Sequence, residues 1–474
     1  MEEKEKNIAF LKSFTIFIFI LLASIDNAAA DMAPSVYWAM EGGLHTEEFL
    51  LGIVTAITTW IIAGSAVFWG FLGDKGNRKK LLLIGTAIWV SSLICTPLVK
   101  NILSWLIVDI IAGIGLGCIA SVGFSVIVDF IKPKKRGLAM SWWGVSQGIG
   151  TVVGKGLAAL IVKKESEWWL PFFWISIAGI GLIIAYFFTV DPGRGATEEE
   201  LKDVNYDYTI KLNDLKTILK KPTNLALLFQ GLTAQVVWGS ITWLPYVITK
   251  IVFYQGITDD EAGGLIGNII AGLLGVGGAF SILFGDLGDR LQKKTMKARP
   301  IISTVGVLTG IPLFMLMLMV PFDISSMAGT TGTMDIIFGL LNQLGTNPMF
   351  LLMFLFAIGA AAMMAADSPN WFALIGDVNL PEHRGTVFGL GNFINGIGRG
   401  IGAGSFGLIA QSFLTYFPEP ANYIWALIVL QLFFIPAGVC YLAACFYIER
   451  DFNHVRQTLK RRADKIKEET HASD

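Results

Sequence analysis

Residues 129–137 read DFIKPKKRG, and residues 377–385 read DVNLPEHRG. Aspartate, proline, arginine and glycine recur at an offset of 248 residues. The match runs on into Gly148, Ile149 and Gly150 against Gly396, Ile397 and Gly398. It ends with Gly154 and Gly156 against Gly402 and Gly404. A second pair lies earlier in each half. Residues 70–79 read GFLGDKGNRK and residues 285–294 read GDLGDRLQKK, at an offset of 215. The 33-residue difference between the offsets falls in a long loop after the ninth apolar stretch. The chain is thus built from two related halves in parallel order.

Both halves are strongly apolar. Hydrophobic residues make up 54% of the chain and charged residues 15%, where a soluble domain carries about 25% charged. A membrane-spanning helix needs roughly 20 mostly apolar residues. Twelve stretches qualify, near 12–36, 48–72, 81–99, 104–130, 137–162, 167–189, 223–250, 261–285, 300–321, 349–376, 385–413 and 421–447. Asn27-Ala28-Ala29-Ala30 looks like a signal-peptide cleavage site, but eleven further spans favour an integral first helix. The expected fold is an all-α membrane protein of two six-helix bundles, residues 1–189 and 223–447. A linker (190–222) joins them and a basic tail (448–474) follows.

Loop charges set the expected orientation. Of 36 Lys and Arg residues, 30 fall on the side of the termini and linker, and the 322–348 loop has none. Both termini are therefore expected in the cytoplasm, in a multi-pass cell-membrane protein. The net charge of −1 gives no sign of a nucleic-acid partner. The four cysteines lie in apolar runs and the four histidines form no zinc or triad pattern, so no metal, cofactor or enzyme chemistry is expected. Gly113, Gly115 and Gly117 have the spacing of a nucleotide loop, but no strand precedes them and helix packing explains them.

A parallel duplication of six helices is the arrangement of major-facilitator transporters. The 70–79 segment resembles that superfamily's loop between helices two and three, and 285–294 the weaker copy between helices eight and nine. Asn77 and Gln292 stand where the motif has a later glycine. The repeated D-x3-P-x2-R-G segments resemble the inner ends of helices four and ten. GFLGDKGNRK further resembles the Spinster branch. So does Asp26, although Asn27 replaces that branch's arginine, and so does the pair Asn370-Trp371. Asp109 stands on the fourth helix, where the branch carries an arginine and a glutamate. The resemblance implies alternating access by a monomer. It also implies an inner gate formed by Gly70, Asp74, Arg78, Asp129 and Arg136, with Gly285, Asp289, Arg290, Asp377 and Arg384 as counterparts.

Ionisable residues inside spans are costly and default to function. Asp31 shares a face of helix one with Asn27 and Ser24, and Asp26 lies on the same helix. Helix five carries Gln147, Thr151 and Lys155 at i, i+4, i+8. Helix eleven carries Asn392, Asn395 and Arg399 at i, i+3, i+7. Under the repeat, Gln147 matches Asn395 and Thr151 matches Arg399. The two stripes are expected to line one central cavity with two cations, Lys155 and Arg399, balanced by Asp26, Asp31 and Asp367. Gln235 adds a polar group on helix seven. On helix ten, Asp367-Ser368-Pro369-Asn370 predicts a break that serves binding or bending.

These features predict proton-coupled transport of a small organic, anionic solute across the bilayer. Asp26 is the first choice for the proton site and Asp31 the second. A Spinster-like carrier of a lysolipid and a non-transporting membrane sensor are the alternatives.

Overall fold

A computed structural model describes residues 2–123, 126, 136–189 and 212–473. Every regular element among them is helical. The first span starts and the twelfth ends on one face of the molecule, called the terminal face below; the opposite one is the far face.

Ten helical segments are long and apolar enough to cross a membrane. The other two spans are the fifth, Arg136–Ile161, and the eleventh, Pro381–Phe413. The fifth contains only a shorter apolar helix, Val145–Ile161, among its described side chains. The eleventh carries one of the polar stripes, and residues turned toward an internal cavity lower the average hydropathy of a helix that lipid never fully surrounds.

Several spans are built from two pieces. The seventh comprises Pro222–Ile241 and Leu244–Tyr254. The tenth comprises Pro348–Met364 and Asp367–Val378. The twelfth comprises Ala421–Gln431 and Phe434–Ser473, whose second piece runs on through the basic tail. Pro245, Pro369 and Pro436 each lie in the first turn of the second piece. Proline fits there because it has no N–H to donate backward and its ring would clash with a preceding turn. The first span also outruns its apolar stretch. Its helix covers Glu2–Asp31, and a short turn leads into Tyr37–Leu44. The loop after the ninth span contains a helix of its own, Thr333–Thr346.

The repeated glycines do matching jobs in the two halves. A Cβ on Gly150 would lie 2.5 Å from the Ser24 carbonyl oxygen, and one on Gly154 3.1 Å from that of Ala28. Span five therefore presses its backbone onto span one. A Cβ on Gly398 would lie 2.1 Å from the Leu232 carbonyl oxygen, and one on Gly402 2.0 Å from that of Val236. Span eleven presses onto span seven in the same way. Close approach of this kind needs small residues. It places both polar stripes beside the first helix of their own half.

Across the halves, span eleven also packs along the second span, Glu48–Lys75. Gly396 sits on Ala63 and Gly400 on the Trp60 ring. Near the far face the halves meet at the Tyr37 and Trp243 rings, 5.2 Å apart, and where Asn268 Nδ2 donates to the Ser35 carbonyl at 3.0 Å. Nearer the terminal face Asn392 donates to the Ala120 carbonyl.

Candidate functional site

A central cavity of about 380 Å³ lies between the two halves. Asp26, Asn27, Asp31, Gln147, Thr151, Lys155, Gln235, Asp367, Asn392, Asn395 and Arg399 all line it. Asn370 does not. It is fully buried behind the tenth-span break, where its Nδ2 donates to the Ala366 carbonyl at 2.9 Å. Ser303 Oγ donates to the same oxygen at 3.3 Å. The break is thus closed off by protein on one side, while Ala365, Asp367 and Ser368 face the cavity on the other.

The charged groups are layered. Arg399 Nη2 donates to Asp31 Oδ1 at 2.7 Å, an ion pair that joins span eleven to span one. Lys155 is 9% exposed and lies within electrostatic reach of both partners. It makes no hydrogen bond or ion pair of its own among the described residues. Two cations and one carboxylate therefore share the far end of the cavity. Asp26 sits about one and a half helical turns before Asp31 on span one, about 7 Å along the axis. It is buried, with the Trp89 indole turned toward it. Asn27 Nδ2 donates to the Gln147 carbonyl at 3.0 Å, which ties span one to span five. Thr151 Oγ1 donates to that same carbonyl.

Deeper toward the terminal face is Asp367. Its Oδ1 accepts from Gln230 Nε2 at 3.0 Å and from the Tyr441 hydroxyl. Gln230 lines the cavity with Gln235, as a polar residue on span seven suggests, whereas Tyr441 lies in an apolar run and does not follow from the sequence pattern. Asp109 stays outside the cavity, accepting from Thr58 Oγ1 at 2.6 Å behind span two.

The residues expected to form the inner gate separate into two groups. Asp289 and Asp377 are brought together by Arg299, whose Nη2 reaches Asp289 at 2.6 Å and Nη1 reaches Asp377 at 2.7 Å. Gln292 Nε2 also donates to Asp377, at 2.9 Å. Arg384 Nε donates to the Gly376 carbonyl at 2.9 Å. Arg290 turns outward and pairs with Asp286 instead. Arg299 is 2% exposed yet escapes a sequence reading, because it sits with Lys293, Lys294 and Lys297 in a basic loop. Its one distinguishing mark is Pro300, which starts the ninth span immediately after it.

In the first half, Gly70 approaches the Gly385 carbonyl, joining spans two and eleven. Arg78 is buried. Lys79 Nζ donates to the Phe187 and Thr189 carbonyls at 2.6 and 2.7 Å, closing the end of span six. The side chains of Asp74, Asp129 and Arg136 lie outside the described residues.

The sequence matches the Major Facilitator Superfamily over residues 13–341. It is 26% identical over 263 residues to Protein spinster homolog 3 of Danio rerio, covering 52% of this chain and 51% of that protein. It is likewise 26% identical over 282 residues to the Putative glycerol-3-phosphate transporter 1 of Arabidopsis thaliana, covering 52% of each. These matches span about half the length of the relatives. Among solved structures, it resembles a bacterial homolog of the human lysosomal transporter Spinster in an inward-facing, unoccupied conformation. The TM-score is 0.66 at 16% identity, over 93% of this chain and 98% of that one. It also resembles the human organic anion transporter MFSD10, with a TM-score of 0.63 at 13% identity, over 91% and 99%. At such identities the likeness is one of fold. Helix count, internal repeat, central cavity and family match agree that this chain is an all-helical membrane protein belonging to the major facilitator superfamily.

Proposed function

We propose that the chain carries a small organic anion by alternating access, coupled to protons. The observation that supports this most is the Asp31–Arg399 ion pair, which bridges the two halves inside the cavity with Lys155 beside it. A substrate carboxylate or phosphate takes the place of Asp31 on Arg399 and gains Lys155 as a second partner. Charge-assisted hydrogen bonds of this type are the strong ones. Because Asp31 and Arg399 belong to different halves, exchanging their contact for one with substrate changes what holds the halves together.

Asp26 is the proton site in this reading. It is buried, it lines the same cavity, and among the described residues no cation pairs with it. Taking up a proton there offsets the charge that an anion brings into an apolar site. Asp31 is the second candidate. Gln147, Thr151, Gln235, Asn392 and Asn395 supply neutral hydrogen-bonding groups along the path. Arg299 with Asp289 and Asp377, and the corresponding first-half charges around Asp74 and Arg78, form the gate at the terminal face. That face is cytoplasmic by the charge rule, which puts the 190–222 linker and the tail inside the cell, and the chain works as a monomer.

Likeness to a putative glycerol-3-phosphate transporter and to an organic anion transporter accords with an anionic solute. The amphipath that the Spinster resemblance of the sequence implies is the second reading. Both readings are tested by thermal shift of the purified protein with organic anions, sugars and lysolipids, followed by flux in liposomes. Stabilisation by anions that is lost in Arg399→Gln supports the first reading. Stabilisation by lysolipids alone supports the second.

A further inference from the structure

Asp367 has a feature that an anion cavity does not call for. Both of its hydrogen-bond donors, Gln230 Nε2 and the Tyr441 hydroxyl, converge on Oδ1. Among the described residues Oδ2 makes no hydrogen bond, and the residue is 9% exposed in a wall of the cavity. Among the described residues no lysine, arginine or histidine pairs with it. Two neutral donors fix the carboxylate in place without neutralising it, and they leave its second oxygen open to whatever enters.

This acidic pole is set apart from the cationic one. Gln230 precedes Gly231, which packs against the Asn395 side chain. Asn395 lies four residues before Arg399 on the same helix, about 6 Å closer to the terminal face. The stretch between carries Asp26 on span one and is otherwise apolar or neutral, with Ala63, Ala234, Trp238 and Met364 in the lining.

We propose that the transported ligand is a zwitterion, with an anionic group held at Arg399 and Lys155 and an ammonium group held by Asp367 Oδ2. This rests on the anion reading for the far pole and adds the second pole. An unpaired buried carboxylate and an unpaired buried lysine in one cavity are each costly when empty. A single ligand of opposite polarity relieves both at once. Asp367 therefore acts as a specificity determinant that separates amino acids and similar zwitterions from simple anions.

The test is isothermal titration of the full-length protein in nanodiscs with ω-amino carboxylates of graded chain length and with alkyl carboxylates of matched length. The wild type is expected to bind the best amino carboxylate about 10- to 100-fold more tightly than its alkyl counterpart. Asp367→Asn removes that preference without weakening alkyl carboxylate binding, whereas Arg399→Gln weakens both probes. Equal affinities in the wild type, or a preference that survives Asp367→Asn, overturns the zwitterion while leaving the anion site standing. Sodium-dependent binding of alkyl carboxylates that disappears in Asp367→Asn gives the pole to a free cation and also overturns it. Failure of both probes to bind the wild type contradicts the anion reading and this inference together. Should Asp367→Asn not fold, Tyr441→Phe, which removes one of the donors fixing Oδ1, must reduce the preference, and an unaltered preference there overturns the assignment.

Discussion

Arg399 Nη2 lies 2.7 Å from Asp31 Oδ1, and the two residues belong to opposite halves of the molecule. Both side chains remain partly exposed to the cavity, so the pair contributes only modestly to stability. In the proposed function its larger effect is on binding, because Asp31 occupies the group that an anion needs. Asp31→Asn should therefore tighten anion binding, and Arg399→Gln should weaken it by about 10- to 100-fold, the worth of a charge-assisted hydrogen bond. Dissociation constants of the purified variants check both signs. Two changes in the same direction would contradict competition between Asp31 and substrate.

The glycine contacts make a prediction about packing. Gly398→Ala and Gly402→Ala place a methyl group against the Leu232 and Val236 carbonyls of span seven. Overpacking of this kind costs about 1–3 kcal/mol, seen as a lower melting temperature. Gly407 lies on the same helix with nothing within 4 Å of a Cβ. Gly407→Ala should leave stability unchanged or raise it slightly, since glycine is a poor helix former. Equal losses at all three positions would show that helix propensity, and not contact between spans, governs the effect.

The same glycines explain how far the sequence could be read. An offset of 248 residues relates Gly150 to Gly398, and the structure gives both the same task against spans one and seven. Stripes at helical spacing marked Lys155 and Arg399 as cavity residues because a polar face on an apolar helix has few other places to point. Which of Asp26, Asp31 and Asp367 pairs with Arg399 was not legible. Each residue could be assigned to a face, but which helices of opposite halves meet depends on packing between bundles. Arg299 was hidden for a different reason. A basic residue at a span boundary reads as a topology signal, and only the fold shows that this one turns inward to two carboxylates.

Arg299 carries the sharpest stability prediction. Its guanidinium is 2% exposed and bridges Asp289 and Asp377, themselves 9% and 6% exposed. Removing it strands two buried carboxylates, and breaking such a pair costs about 3–5 kcal/mol. Arg299→Ala should show a large drop in melting temperature, and Arg299→Lys a smaller one, since lysine keeps the charge but not the forked geometry. If the gate account holds, cysteine probes at the terminal end of the cavity also become more reactive in Arg299→Lys. Unchanged reactivity would make the cluster purely structural.

His383 gives the terminal face a dependence on pH. It is 4% exposed, its Nε2 lies 3.6 Å from Asp214 and 3.9 Å from Glu382, and burial lowers its pKa despite those carboxylates. A histidine with a depressed folded-state pKa favours the neutral form. The folded state then binds fewer protons than the unfolded state, and stability falls as pH drops below the ordinary histidine value of about 6.5. The melting temperature of the wild type should fall between pH 7 and pH 5, and His383→Gln should flatten that fall. An identical slope in the variant would assign the acid sensitivity to other groups.

In the proposed function Asp26 is the group that couples the cavity to protons. In proteoliposomes, substrate exchange at equal pH on both sides reports binding and alternating access, and uptake against a concentration gradient driven by a pH gradient reports coupling. The measurement is both activities side by side in the wild type and Asp26→Asn. The account predicts that Asp26→Asn retains exchange and loses accumulation driven by the pH gradient. Accumulation that continues at the wild-type level in Asp26→Asn would contradict it.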